Sequence, residues 1–229
     1  MAAHPSFAGC RVAVFDAYGT LFDVAAAARR LAPRIGPEAG RLAEIWRAKQ
    51  LQYTWLRSLM GRYADFWTVT GEALDFALEA TGIRGEGLRG ELMDLYRRLD
   101  AYDDVKPMLG RLKAAGMKTA ILSNGEPGML AQAVDSAGIG GLLDDVISVH
   151  ELGIYKPHPL VYALVERRLG PAPAEVVFLS SNGWDAAAAG AFGFRVAWVN
   201  RSGQPMERLP AAPDATITGL DGLPPLLGL

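Results

Sequence analysis

The chain has 229 residues, half of them hydrophobic and 21% charged, a composition that fits a globular protein and excludes a disordered or fibrous one. Its formal net charge is −2 with no basic run, which argues against a nucleic-acid or anionic-membrane surface as the main partner. Cys10 is the single cysteine, so an intrachain disulfide and a thiolate zinc cluster are both excluded and a reducing compartment fits best.

The first ten residues lack a basic region followed by an apolar one, and no later stretch reaches about 18 uninterrupted apolar residues, so a soluble, cytoplasmic protein is expected. At this length the chain suits one large domain, or a core with a smaller insertion. The first apolar run, residues 12–15, reads Val-Ala-Val-Phe; others follow at 117–122, 176–180 and 195–199, with weaker ones at 145–149 and 215–218. Runs without alternation predict strands buried on both faces, as in a parallel sheet covered by helices. Roughly 100 residues separate the first run from the second, far more than one crossover needs. Within them Leu42, Ile45, Trp46, Tyr53, Leu56 and Met60 fall on one helical stripe, while Phe66, Trp67, Leu74 and Leu78, then Leu88, Leu92, Leu95 and Tyr96, outline further helices. An all-helical cap over residues 21–99, inserted into a core of residues 1–20 and 100–229, is the simplest account. Pro107 suits the first turn of the helix that returns to the core. From residue 101 the order reads αβαβαβαβ, which implies right-handed crossovers and an α/β fold with a doubly wound, mainly parallel, Rossmann-like sheet.

In such a sheet, ligands bind beyond the carboxyl ends of the strands near the switch in strand order. Polar residues gather there: Asp16 to Thr20 after the first run, Ser123-Asn124-Gly125 after the second, Tyr155-Lys156-Pro157 beyond the third, and Ser180 to Asp185 after the fourth. Ser123, Asn124, Ser180, Asn182 and Asp185 are also good helix N-caps, which any β-to-α turn tends to carry. Asp16 directly follows a buried strand, where an unpaired charge is costly, so it is either functional or paired structurally with Lys156.

These segments resemble, in order, the four motifs of the haloacid dehalogenase superfamily: Asp16-Ala17-Tyr18-Gly19-Thr20, Ser123-Asn124, Lys156-Pro157 and Ser180 to Asp185. Many of its hydrolases are magnesium-dependent phosphatases with a second aspartate two residues after the nucleophile and an acidic residue in the fourth motif. Here Tyr18 stands at the first of these positions, and Ser180, Ser181 and Asn182 precede Asp185. Magnesium usually wants more than one carboxylate, and a tyrosine removes charge and adds bulk. With Leu51, Phe66 and Trp184, Tyr18 would instead form an apolar wall for an aliphatic substrate carbon. The pattern is similar to the L-2-haloacid dehalogenase branch (type II), whose cap helix resembles residues 46–57, Trp-Arg-Ala-Lys-Gln-Leu-Gln-Tyr-Thr-Trp-Leu-Arg. Without that resemblance Arg47 reads as a solvated surface cation.

The resemblance implies Asp16 as a carboxylate nucleophile that displaces halide from C2 of a short 2-haloalkanoate, forming an ester that water then cleaves, with net inversion. It implies Lys156 beside Asp16, keeping it ionised, and Thr20 orienting it. Arg47 would hold the departing halide with Phe66 and Asn124. Leu122, Ser123, the Asn124 N–H and Tyr18 would receive the substrate, and Asp185 with Asn182 and Ser180 would position and activate water. Tyr162 matches a tyrosine used near Asp185 or the site entrance, and otherwise reads as a packed helix aromatic. His158 and Gly71 depart from residues found in relatives, an aspartate and a cap lysine. No organic cofactor and no metal are implied; dinucleotide, phosphate-loop and nucleophile-elbow motifs are absent, and His4, His150 and His158 are too scattered for a metal site. The alternatives are a magnesium-dependent small-molecule phosphatase and a non-catalytic binding protein on this fold. Members commonly dimerise through cap helices, so the partners expected are a small 2-haloacid, halide and a second copy of the chain, or a monomer whose cap packs on its own core. Spacing does not set the halogen.

Overall fold

The computed structural model describes residues 3–97 and 99–229, apart from the side chains of 25–29 and 31; Met1, Ala2 and Arg98, within the ranges assigned above to core and cap, lie outside the described residues. Strands β1 (Val12–Phe15), β2 (Lys118–Ser123), β3 (Asp145–Ser148), β4 (Val176–Ser180), β5 (Arg195–Val199) and β6 (Ala215–Ile217) form one all-parallel sheet in the order β3-β2-β1-β4-β5-β6. The four stronger apolar runs supply the interior strands: β1 and β4 are buried throughout, and in β2 and β5 only the first residue is exposed. The two weaker runs became the edges, β3 and β6, which need only one buried neighbour.

Between β1 and β2 lie α1 (Val24–Ile35), α2 (Ala39–Leu59), α3 (Phe66–Thr81) and α4 (Leu88–Leu95), the inserted all-helical cap. The chain re-enters the core through α5 (Val105–Ala114), then α6 (Pro127–Ala137), α7 (Pro159–Leu169) and α8 (Gly183–Phe192) connect successive strands. Right-handed crossovers running in opposite directions from β1 put α5 and α6 on one face and α7 and α8 on the other. Tyr162 on α7, Phe178 on β4 and Phe192 on α8 meet with ring centroids 5.9 Å apart, filling the second face.

Local chemistry sets the helix ends. The Asp65 carboxylate accepts from Thr68 N at 2.8 Å to start α3, and Gly82, at φ 69°, ends it. His158 caps α7, its Nδ1 accepting from Leu160 N at 3.2 Å, so the residue that replaces an aspartate does an aspartate's capping work. In α2 the buried face is Leu42, Trp46, Gln50 and Thr54, spaced four apart and laid along α3. Half of that face is polar. The apolar stripe departs from it: Leu56 and Met60 are 43% and 62% exposed. At Gly71 an added Cβ would lie 3.0 Å from Arg89 Nη2, so an arginine from α4 fills the space at the position of the cap lysine.

Ile121, fully buried in β2 between β1 and β3, tests the sheet core. Ile121→Ala should lower unfolding free energy by about 2–5 kcal/mol, read as a lower urea midpoint with an unchanged slope.

Candidate active site

Register brings the site together. Phe15 pairs with both Ile121 and Leu179, so Asp16, the next residue, stands level with Leu122 and Ser180 at the carboxyl ends of three adjacent strands. This is the point where strand order reverses and the helices diverge, leaving a crevice. Asp16 is 7% exposed. Its Oδ2 accepts from Asn182 Nδ2 at 2.9 Å, Thr20 Oγ1 at 3.3 Å and Ser180 Oγ at 3.4 Å; its Oδ1 faces Lys156 Nζ at 3.2 Å. Thr20 is held in turn by Ser181 N, which donates to its Oγ1 at 2.8 Å.

Lys156 is 1% exposed and also donates to Asp185 Oδ2 at 2.8 Å, while the Tyr162 hydroxyl donates to Asp185 Oδ1 at 2.7 Å. Burial alone would lower the Lys156 pKa, but the charges and hydrogen bonds of Asp16 and Asp185 outweigh it and hold the ammonium above its ordinary value. Burial raises the Asp185 carboxyl, Lys156 draws it back, and the Asp16 charge adds to the rise. Burial and the Asp185 charge push Tyr162 well above the ordinary phenol value, so it stays a donor. Tyr162 therefore sits at Asp185 beneath the sheet's end, not at an entrance.

From the cap, Arg47 Nη2 donates to Asn182 Oδ1 at 3.2 Å, so Asn182 joins Arg47 to Asp16. Although Asn182 occupies the N-cap of α8, its side chain makes no capping bond. Ser123 and Ser180 do turn work through Oγ, accepting from Gly125 N and Asn182 N at 3.1 Å each. Asn124 Oδ1 accepts from Lys156 N at 3.0 Å and so aims the lysine loop. Tyr18 stacks on Phe66 at 5.7 Å, and glycine at 125 permits this, since a Cβ there would meet Tyr18 Cε2 at 2.8 Å. The Tyr18 hydroxyl is buried without a partner among the described residues, and burial raises its pKa, so it remains a neutral phenol.

A cleft of about 710 Å³ opens between cap and core, with Tyr18, Trp46, Arg47, Tyr96, Tyr102 and Asn182 among its walls. Leu51, Phe66, Ser123, Asn124 and Trp184 are not among them, and Asp16 meets the cleft through Asn182. Trp184 instead meets Trp55 edge to face at 5.5 Å, closing cap on core behind Arg47. Leu122 is fully buried in β2 and supports the floor from below. Several residues around the site were not read as site residues from the sequence. Gln50 accepts from Arg47 and donates to Thr70, Tyr96 walls the cleft, and Tyr155 ties core to cap by donating to Ala64 O at 2.6 Å. Gln50 and Thr70 left only polar residues at helical spacing from Trp46 and Phe66, whereas Tyr96 read as part of a helix stripe and Tyr155 as part of the lysine-proline turn. The donor set does not suit a divalent cation: both carboxylates are committed to Lys156 Nζ, and Tyr18 supplies a phenol where a third would stand.

Because burial raises Asp185 in the fold, protonation of that group favours folding, and Lys156→Met leaves it unpaired. The mutant's stability deficit should be largest between neutral pH and 10.5, of order 3–5 kcal/mol, and shrink as the pH falls toward the unfolded carboxyl value. In the parent, the raised Lys156 contributes stability fully present below 10.5 and lost as the pH rises through its folded value. Urea midpoints of both proteins across pH check this; a pH-independent deficit would contradict it.

Comparison with known proteins agrees with this geometry. Residues 10–193 match the haloacid dehalogenase-like hydrolase family. The chain is 50% identical to (S)-2-haloacid dehalogenase 1 of Pseudomonas sp. (strain CBS-3) over 95% of its length and 96% of the relative's. It is 45% identical to (S)-2-haloacid dehalogenase 4A of Burkholderia cepacia, over 95% of this chain and 94% of that one. The structure of L-2-haloacid dehalogenase from Xanthobacter autotrophicus with chloropropionic acid covalently bound superposes with a TM-score of 0.89 at 42% identity, covering 96% of this chain and 98% of that one. With Lys156 set between two carboxylates at the sheet's switch point and a cap arginine reaching the same amide, the chain belongs to the haloacid dehalogenase-like hydrolases, in the family of the (S)-2-haloacid dehalogenases.

Proposed function

We propose that this protein hydrolyses the carbon–halogen bond of short L-2-haloalkanoic acids, the chloroacetate and 2-chloropropionate class, to 2-hydroxy acids with inversion at C2. One observation carries the reading: a buried carboxylate is paired with a buried ammonium on one oxygen and joined through Asn182 to a cap guanidinium on the other. In this reading residues 21–99 are the cap domain and residues 1–20 with 100–229 the core.

Asp16 attacks C2 in line with the departing halide, gaining reactivity from a closed site that strips its hydration. Among the described residues its Oδ2 carries three hydrogen-bond donors and Oδ1 faces Lys156 alone, so Oδ1 is the attacking oxygen. Oδ2 then becomes the ester's carbonyl oxygen, with Thr20, Ser180 and Asn182 ready to stabilise the oxyanion that forms when water attacks the ester. Ser123, the Asn124 N–H and the unpartnered Tyr18 hydroxyl receive the substrate carboxylate, while Arg47, with Phe66, receives the halide. Water attacks the Asp16 acyl carbon; one of its protons goes to the leaving 2-oxygen and the other passes by way of Lys156 and Asp185 to solvent. Asp185 thus acts through Lys156, since its own oxygens are taken. Fluoroacetate is the demanding member of this class, because fluoride leaves least easily.

The protein is read as a cytoplasmic homodimer. Its single cysteine suits a reducing compartment, and Leu56, Leu59, Met60 and Phe76 expose an apolar cap face, Leu59 at 84%. Among the described residues no helix is long and apolar enough to cross a membrane.

Halide release from L- and D-2-chloropropionate, chloroacetate and fluoroacetate in chelator-treated buffer tests the chemistry. The L isomer should react and give the D-2-hydroxy acid, and Asp16→Asn should lose at least about a thousandfold in rate. A single turnover in heavy-oxygen water should leave label on Asp16; phosphate-ester cleavage stimulated by magnesium would instead support the phosphatase. Light scattering after size exclusion should give about twice the chain mass, and a species at 24.5 kDa would overturn the dimer.

A further inference from the structure

We propose that Gln50 and Thr70, which lie away from the reacting atoms, are positioning residues that aim the Arg47 guanidinium; this rests on the reading of Arg47 as the halide-binding cation. Both are fully buried between α2 and α3. The Arg47 Nη1 group donates to Gln50 Oε1 at 2.6 Å, Gln50 Nε2 donates to Thr70 Oγ1 at 2.8 Å, and Thr70 Oγ1 donates to Phe66 O at 2.6 Å. The direction of every proton is fixed by the two ends. A guanidinium can only donate and a carbonyl can only accept, so the Gln50 amide has one permitted orientation and the Thr70 hydroxyl one permitted rotor.

On its other side Arg47 donates to Asn182 Oδ1, and Asn182 Nδ2 donates to Asp16 Oδ2. A single hydrogen-bonded line therefore runs from Phe66 in the cap through Thr70, Gln50, Arg47 and Asn182 to Asp16. It ties together two groups assigned to the halide, Arg47 and Phe66, and references both to the carboxylate. A long, flexible side chain is held at two of its nitrogens, leaving further N–H donors for an anion. An apolar residue at position 50 would pack against α3 as well as glutamine does but would release the guanidinium. Trp46 Nε1, donating to Thr70 O at 2.9 Å, anchors the same residue through its backbone and is unaffected by changes at the Thr70 hydroxyl.

The test is single-turnover halide release from L-2-chloro- and L-2-bromopropionate, which isolates the alkylation step, on full-length Thr70→Val, Gln50→Leu, Gln50→Glu and Arg47→Ala, with thermal melts in parallel. Thr70→Val nearly preserves shape and leaves the Gln50 amide without its acceptor. It should slow chloride release about tenfold, bromide release clearly less, and leave KM nearly unchanged, because the substrate carboxylate is held elsewhere. Gln50→Leu should do the same more strongly, and Gln50→Glu, which keeps an acceptor for Nη1, should recover much of the rate. Equal slowing of both substrates in proportion to lost thermal stability, or no slowing, would overturn the positioning role. Arg47→Ala separates the two readings. If it changes the chloride-to-bromide ratio while Thr70→Val and Gln50→Leu do not, only the relay fails; if it leaves that ratio untouched, the halide assignment fails and the relay with it.

Discussion

A lysine ammonium held between two carboxylates inside the protein is the constraint from which the site follows. Asp16 and Asp185 are both nearly sealed from water, where an unpaired charge is costly, and each is paired with Lys156. The ammonium is fixed by more than charge. Asn124 holds its backbone N–H, and the ring of Phe178 lies under Nζ with its centroid 5.0 Å away. Each partner comes from a different strand end, so the group exists only when β1, β2 and β4 are in register, and slipping any one strand by a residue would turn its side chain to the opposite face. The strand-order reversal beside β1 supplies the space that makes such a buried cluster reachable by a substrate.

Among the described residues of the core the one buried cation, Lys156, is committed to two carboxylates, so the second cation has to come from outside the sheet. Helix α2 brings Arg47, and the manner of its packing decides what the arginine can do. A wholly apolar α2 face would bind α3 through dispersion and leave the guanidinium to its rotamers. Gln50 on the buried face replaces part of that packing with a directional bond to Thr70, and Arg57 with Glu72, at 2.7 and 2.8 Å, clamps the same helix pair at its far end. Trp55 against Trp184, and Tyr155 reaching Ser58 and Ala64, then hold the pair of helices down on the core.

The strands were legible because burial on both faces leaves a continuous apolar run, and the two edge strands read weakly for the same physical reason. Asp16, Lys156 and the residues from Ser180 to Asp185 were legible because strand ends define one rim in a parallel sheet. The line from Arg47 to Phe66 was not, since whether Gln50 faces solvent or α3 depends on how two helices dock, and a polar residue at helical spacing fits either. Leu56 and Met60 show the converse: an apolar stripe marks a face without saying what covers it. The contact of Trp184 with Trp55 escapes the sequence for a related reason, because it spans 129 residues of chain and has no local signature. At Asn182 and His158 residue type was informative and role was not. The asparagine gives up capping for Asp16 and Arg47, whereas the histidine takes up capping in place of an aspartate.

The arrangement of charges has a logic of its own in the proposed reaction. Asp16 and Asp185 against Lys156 and Arg47 balance one another before substrate binds, so the incoming carboxylate meets a bonded set whose own charges cancel. As the ester forms, the negative charge of Asp16 is consumed and an equal one appears on the halide. Charge therefore moves from the neighbourhood of Lys156 to that of Arg47, with no change in the total. Fixed cations at both ends of that path stabilise the start and the finish without solvent having to reorganise. Asn182, bonded to Asp16 by its nitrogen and to Arg47 by its oxygen, lies between the two ends. Its amide dipole is oriented to favour negative charge on Asp16, while the guanidinium waits for the charge to arrive. A misaimed guanidinium would therefore burden the departure of the halide while leaving substrate capture and the resting carboxylate as they were.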